Sequence, residues 1–151
     1  MKFSDELLKK IILLIWALWF TIVSLTNIFD ALRNLGAMPD WFRFVSGNFQ
    51  YISAVTSIYL FPAWLNAILF FFVIVWEAIT SWLFFNAYLK FRNEKIFAPF
   101  TFGIILFGGF MVMDELFVAY DRMGNIETTH IGILIGLLAS FTALKILDAP
   151  K

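Results

Sequence analysis

The chain has 151 residues, of which 62% are apolar, 20% aromatic and only 15% charged, with 11 basic and 11 acidic side chains. Soluble domains carry about 25% charge, and one of this size buries only about 70% of its unfolded surface, so water is a poor solvent for this composition. Disorder and nucleic-acid binding through a basic face are excluded by the same figures, and the absence of Cys removes disulfides, thiolate metal centres and a Cys nucleophile.

Uncharged runs locate the helices, because a bilayer core takes about 20 apolar residues per span. The first run, residues 11–29, follows Lys9 and Lys10. Asp5 and Glu6 spoil a basic leader and no small-residue cleavage site follows, so a retained span is expected over about 10–32. The second run, residues 44–76, is too long for one straight span. Pro62 divides it, since Pro is welcome in the first turn of a helix. The second span is therefore expected over about 62–90. Residues 38–61 mix Gly47, Asn48, Gln50, Ser53 and Ser57 with aromatics, and read as an outer interfacial loop with room for a short amphipathic helix. The third span is expected over about 96–120, passing through Asp114 and Glu115, and the fourth over about 128–147, closed by Lys145 and Pro150. Polar hairpins at 92–95 and 121–125 join these last three. The whole, residues 1–151, reads as one all-α domain, a four-helix transmembrane bundle.

Charge gives the bundle a direction. Lys2, Lys9, Lys10, Lys90, Arg92, Lys95, Lys145 and Lys151 fall on the side of the termini, against Arg33, Arg43 and Arg122 on the other. That asymmetry predicts an N-in/C-in topology, with Asp30, Asp40, Asp114, Glu115, Asp121 and Glu127 near the outer face. Trp41, Tyr51, Tyr59, Trp64 and Tyr120 fit an outer aromatic belt, and Tyr88 an inner one.

Lipid offers no hydrophobic drive between helices, so small residues and hydrogen bonds must hold them. Thr128, Gly132, Gly136 and Ser140 recur every four residues on one face of the fourth span. They are expected to pack against the third span, which offers Gly103, Gly108 and Gly109; a dimer or partner contact is the alternative. Trp16, Trp19, Trp76 and Trp82 read as lipid-facing or bundle-filling.

Chemistry must come from the polar minority. Glu77 lies fifteen positions after Pro62 and thirteen before Lys90, so about 20 Å of helix separates it from either end. A carboxylate at the bilayer centre costs about 2.5–3.5 kcal/mol on insertion scales, which makes Glu77 either a helix tie or a group for a proton, ion or ligand. Thr80 and Ser81 share its face. Asn27, Asp30, Asp114, Glu115, Glu127 and His130 gather toward the outer half. Glu127-Thr128-Thr129-His130 has the Glu-x-x-His spacing of di-iron bundles, but those need two such motifs, and the chain has one His. A single Zn at His130 with carboxylates is the remaining metal arrangement. Phosphate loops, nucleophile elbows and His-Glu-x-x-His are missing from the sequence, so no catalytic residue, metal or cofactor is assigned.

Asn27-Ile28-Phe29-Asp30 at the end of the first span, Glu77 within the second, and Glu115 with Phe117 after Gly109-Phe110-Met111, followed by Asn125, together resemble a bacterial family of predicted small four-span integral membrane proteins of unknown function. Phe29 stands where that pattern has Thr, and Asp114 and Leu116 where it has Gly and Trp. The resemblance implies that Asn27, Asp30, Glu77 and Glu115 form one polar cluster, and it brings no activity with it.

The expectation from sequence is a multi-pass protein of a bacterial cytoplasmic (inner) membrane, acting as a non-enzymatic accessory or structural subunit of a larger membrane complex. Its partners are then lipid and other membrane subunits or a second copy, not nucleic acid. The alternative is a small channel, carrier or quinone-binding protein using Glu77. A metal-dependent membrane enzyme at Asp30, Glu115 and His130 comes third. The candidate polar cluster is Asn27, Asp30, Glu77, Asp114, Glu115 and His130.

Overall fold

The computed structural model describes residues 5–91, 93–119 and 126–147. Its regular structure among the described residues is all helical: α1 (Asp5–Asn34), α2 (Asn48–Thr56) with a single 3-10 turn after it (Ser57–Tyr59), α3 (Ala63–Lys90), α4 (Asn93–Leu116) and α5 (Ile126–Leu147). Among the described residues, α1, α3, α4 and α5 are long and apolar enough to cross a membrane.

Local chemistry explains most of the ends. Pro62 precedes α3 in extended conformation, and its carbonyl accepts the Leu65 and Asn66 amides, which starts the helix. Phe91 stops α3 in the left-handed region at φ 40°, its amide bonded to the Ala87 carbonyl. Because α4 begins at Asn93, the polar hairpin expected at 92–95 is tighter than its charges suggested: Asn93, Glu94 and Lys95 are already helical. The third span is shorter than expected. α4 ends at Leu116, and a turn through Val118 at φ 49° leads the chain away. Arg92, residue 120 and the hairpin at 121–125 lie outside the described residues.

The long helices close a ring in which α1 packs mainly on α3, α3 on α4 and α4 on α5, with a slighter α5–α1 seam. The half of the bundle near Asp5 and Leu147 is filled by Leu13, Ala17, Phe20, Phe84, Phe100, Leu137 and Leu144, all essentially inaccessible. Phe20 stacks on Phe84 at 5.7 Å, and Phe84 meets Phe100 edge-on at 5.0 Å. Hydrogen bonds stitch the same half. Thr21 and Ser81 share a 2.7 Å hydroxyl bond, and Ser81 donates to the Ala17 carbonyl. Trp76 donates from Nε1 to the Phe102 carbonyl at 3.0 Å. Trp82, by contrast, is exposed.

The small-residue stripe of α5 meets a different partner from the one expected. Trp16 of α1 donates to Ser140 Oγ at 3.0 Å, and its ring lies 3.3 Å from where a Gly136 Cβ would stand. Gly132 has open space there. The physical reason is the size of indole: a ring pressed between two helices needs the glycine, whereas α4 reaches α5 through Gly103 against Leu137 instead.

The segment between α1 and α3, expected as an interfacial loop with room for a short helix, contains α2 and is tied to the bundle. Arg33 donates from Nη2 to the Phe42 carbonyl, Ser46 N donates to the Thr26 carbonyl, and Phe29 packs edge-on against Phe42. α2 then sits against α1 and α3.

Candidate functional site

The half of the bundle away from Asp5 and Leu147 is where the buried polar residues collect. Asn27, Asp30, Glu77 and Asp114 are all buried, the first two completely. α1 supplies Asn27 and Asp30 one turn apart at three-residue spacing, so both face inward on the same stripe as Phe20 and Ser24.

Two hydrogen-bonded groups result. In the first, Asn48 of α2 donates from Nδ2 to Asn27 Oδ1 at 2.8 Å, and Asn27 donates from its own Nδ2 to Glu77 Oε2 at 2.7 Å. Three helices are thereby tied through one amide. Asp30 anchors the same α2 end. Its Oδ2 accepts the Phe49 amide at 2.8 Å and Ser46 Oγ at 3.1 Å, and its Oδ1 accepts Asn34 Nδ2 at 3.2 Å. α2 has no side-chain cap of its own at Gly47, so a carboxylate from α1 does that work at the positive end of the helix.

In the second group, Asp114 Oδ2 lies 2.6 Å from His130 Nδ1, and Asp114 Oδ1 accepts the Tyr51 hydroxyl at 3.1 Å. The His130 ring packs on Phe110 at 4.9 Å. Burial, and then the neighbouring Asp114 charge, push the Tyr51 hydroxyl well above the usual phenol value, so it stays a donor.

Both groups line one cavity of about 770 Å³ between α2, α3 and α4. Its polar wall is Asn48, Tyr51, Thr56, Glu77, Asp114 and His130; most of the rest is apolar, including Phe70, Val73 and Trp76. Gly108 and Gly109 of α4 line it too, and a Cβ on either meets nothing within 4 Å. These two glycines therefore open space instead of packing helices as expected. The lining residues Phe72 and Ile105 are 63% and 53% exposed well inside α3 and α4, so the cavity has an open side between these two helices.

Several expectations change here. Glu115 stands on the exposed side of α4, apart from the cluster the resemblance implied, and its neighbour Asp114 takes the inward place. Consecutive helical residues diverge by about 100°, and Asp114 is the one turned toward His130 while Glu115 is exposed. Asp30, Glu115 and His130 have separate surroundings, and among the described residues no three His, Asp or Glu side chains converge on a metal position. Tyr51, expected in the outer aromatic belt, lines the cavity. Asn48 and Tyr51 escaped the reading of the sequence because their stretch looked like loop; three-residue spacing on one helical face was the available signal.

No protein-family model, curated protein or solved structure matches the chain.

Proposed function

We propose that the chain is a multi-pass protein of a bacterial cytoplasmic membrane, both ends inside, that binds a lipid-soluble molecule entering sideways from the bilayer. The observation that carries this reading is the cavity of about 770 Å³, apolar at its exposed rim and polar where Glu77, Asp114 and His130 line it. Pockets of some 300–1,000 Å³ with a few convergent polar groups are typical of small-molecule sites. An intramembrane carboxylate kept at a cost of about 2.5–3.5 kcal/mol is typical of function. An apolar probe carrying a photoactivatable diazirine tests it, with the protein held in nanodiscs. Label should concentrate on Val73 and Met113, and Gly108→Leu, whose Cβ meets nothing within 4 Å, should remove it. Label spread evenly over the outward faces of all four long helices, unaltered by Gly108→Leu, would refute the site.

The accessory-subunit reading keeps support from one feature. Only 11% of the apolar stretch of α5 is buried, against 28–33% for the other three long helices. A partner helix seated beside Gly132 would cover that face. Gly132→Leu should then release a co-purifying chain from native membranes, and recovery of the wild type as a lone monomer after mild extraction would count against it.

A further inference from the structure

The ligand's charge class follows from which polar atoms the cavity has already used. We infer that the cavity takes a hydrophobic amine, its ammonium seated at Glu77 and its hydrocarbon body against the aromatic wall. This rests on the reading of the cavity as a binding site and adds the chemistry of the head.

Among the described residues neither Lys nor Arg lines the cavity, while Glu77 and Asp114 both do. A carboxylate or phosphate head would therefore meet like charge without a compensating cation, in surroundings where burying an unpaired charge is expensive. Three donors of this end are already turned onto protein acceptors: Asn48 donates to Asn27, Asn27 to Glu77, and the Tyr51 hydroxyl to Asp114. Glu77 accepts on Oε2 alone among the described residues, so its second oxygen is an acceptor for an N–H or O–H group of the occupant.

The two carboxylates differ in how far they are already balanced. Asp114 has His130 at 2.6 Å on one oxygen and Tyr51 on the other. Glu77 has the Asn27 amide on one oxygen, a neutral donor that ties three helices but brings no charge. A cation therefore gains most at Glu77. Trp76, the residue before it, and Phe70 lie in the same wall, and aromatic rings attract an ammonium when water is excluded. Phenol-headed or hydroquinone-like molecules satisfy the donor requirement without the charge, and the experiment separates them from amines.

Four diazirine probes with one alkyl body and different heads, primary amine, N-acetylated amine, phenol and carboxylate, are titrated against the protein in nanodiscs near pH 7, where the amine is protonated. Labelling of Val73 and Met113 is read by mass spectrometry against exposed Ile15 as the lipid reference. The amine should half-saturate the cavity at a concentration at least about tenfold below the other three, and Glu77→Gln should erase that margin while leaving N-acetyl labelling in place. Equal labelling by all heads, or a phenol or carboxylate as strong as the amine, overturns the amine while the binding site stands. Cavity labelling no higher than at Ile15 for every head overturns both. Should Glu77→Gln fail to fold, the order of the four heads on the wild type decides by itself.

Discussion

Asp30 is the residue whose removal has the most localised consequence. α2 has nine residues, and isolated helices below about 12–15 residues are marginal even with favourable sequences. Its order is therefore borrowed from its contacts, and Asp30 supplies the start of the helix through Phe49 N and Ser46 Oγ. Hydrogen bonds to a charged group contribute about 1.5–3 kcal/mol each, and less than additively when they share an acceptor. Asp30→Ala removes both, together with the 3.2 Å bond from Asn34, so a cost of about 3 kcal/mol is expected. That cost falls on the opening of α2, because the apolar half of the bundle touches none of these groups. At about 1.4 kcal/mol per tenfold, amide exchange across Asn48–Thr56 should accelerate by somewhat more than a hundredfold. Hydrogen exchange read by mass spectrometry in nanodiscs measures this directly, with peptides from α3 and α5 as the unchanged reference. Asp30→Asn, which keeps an acceptor but loses the charge, should fall between. Unchanged exchange in α2, or an equal acceleration in every helix, would refute the account of Asp30 as a cap supplied from another helix.

Trp16→Phe should weaken the α1–α5 seam by roughly 0.6 kcal/mol, the typical worth of an interhelical bond in membranes, seen as a small fall in thermal midpoint that Ser140→Ala reproduces without adding to it. Gly103→Ala pushes a methyl to 3.1 Å from Leu137 and 3.2 Å from Phe20, so it should lower the midpoint, whereas Gly108→Ala enters open space and should not. Tyr51 gives a test in pH. Its hydroxyl is raised above the free value near 10 by burial and by Asp114. The stability it contributes is therefore complete below about pH 10 and is lost as pH rises through the folded value. In an alkaline titration followed by phenolate absorbance, Tyr51→Phe should leave the absorbance developed up to about pH 10 unaltered; a smaller absorbance would mean that Tyr51 ionises at the free phenol value.

The sequence by itself determined how many long helices the chain forms and nearly where they lie. Transfer into lipid is decided locally, residue by residue, so an uncharged run of sufficient length is its own evidence. Pro62 marking the start of α3 and Glu77 standing in its middle were legible for the same reason, since a helix has a fixed rise per residue. Rotation about each helix axis was not legible. α4 carries apolar residues all round its circumference, so nothing in the pattern favoured Asp114 over Glu115 as the inward acid or told Gly103 from Gly108. Tertiary packing decided both: Leu137 and Phe20 close on Gly103, and that rotation aims Asp114 at His130 and leaves Gly108 over empty space. Packing also turned an apparent loop into the third wall of the site. The Phe49 amide at the start of α2 finds its acceptor in Asp30, eighteen residues before the helix begins, and a bond of that range exists only once α1 and α2 have come together.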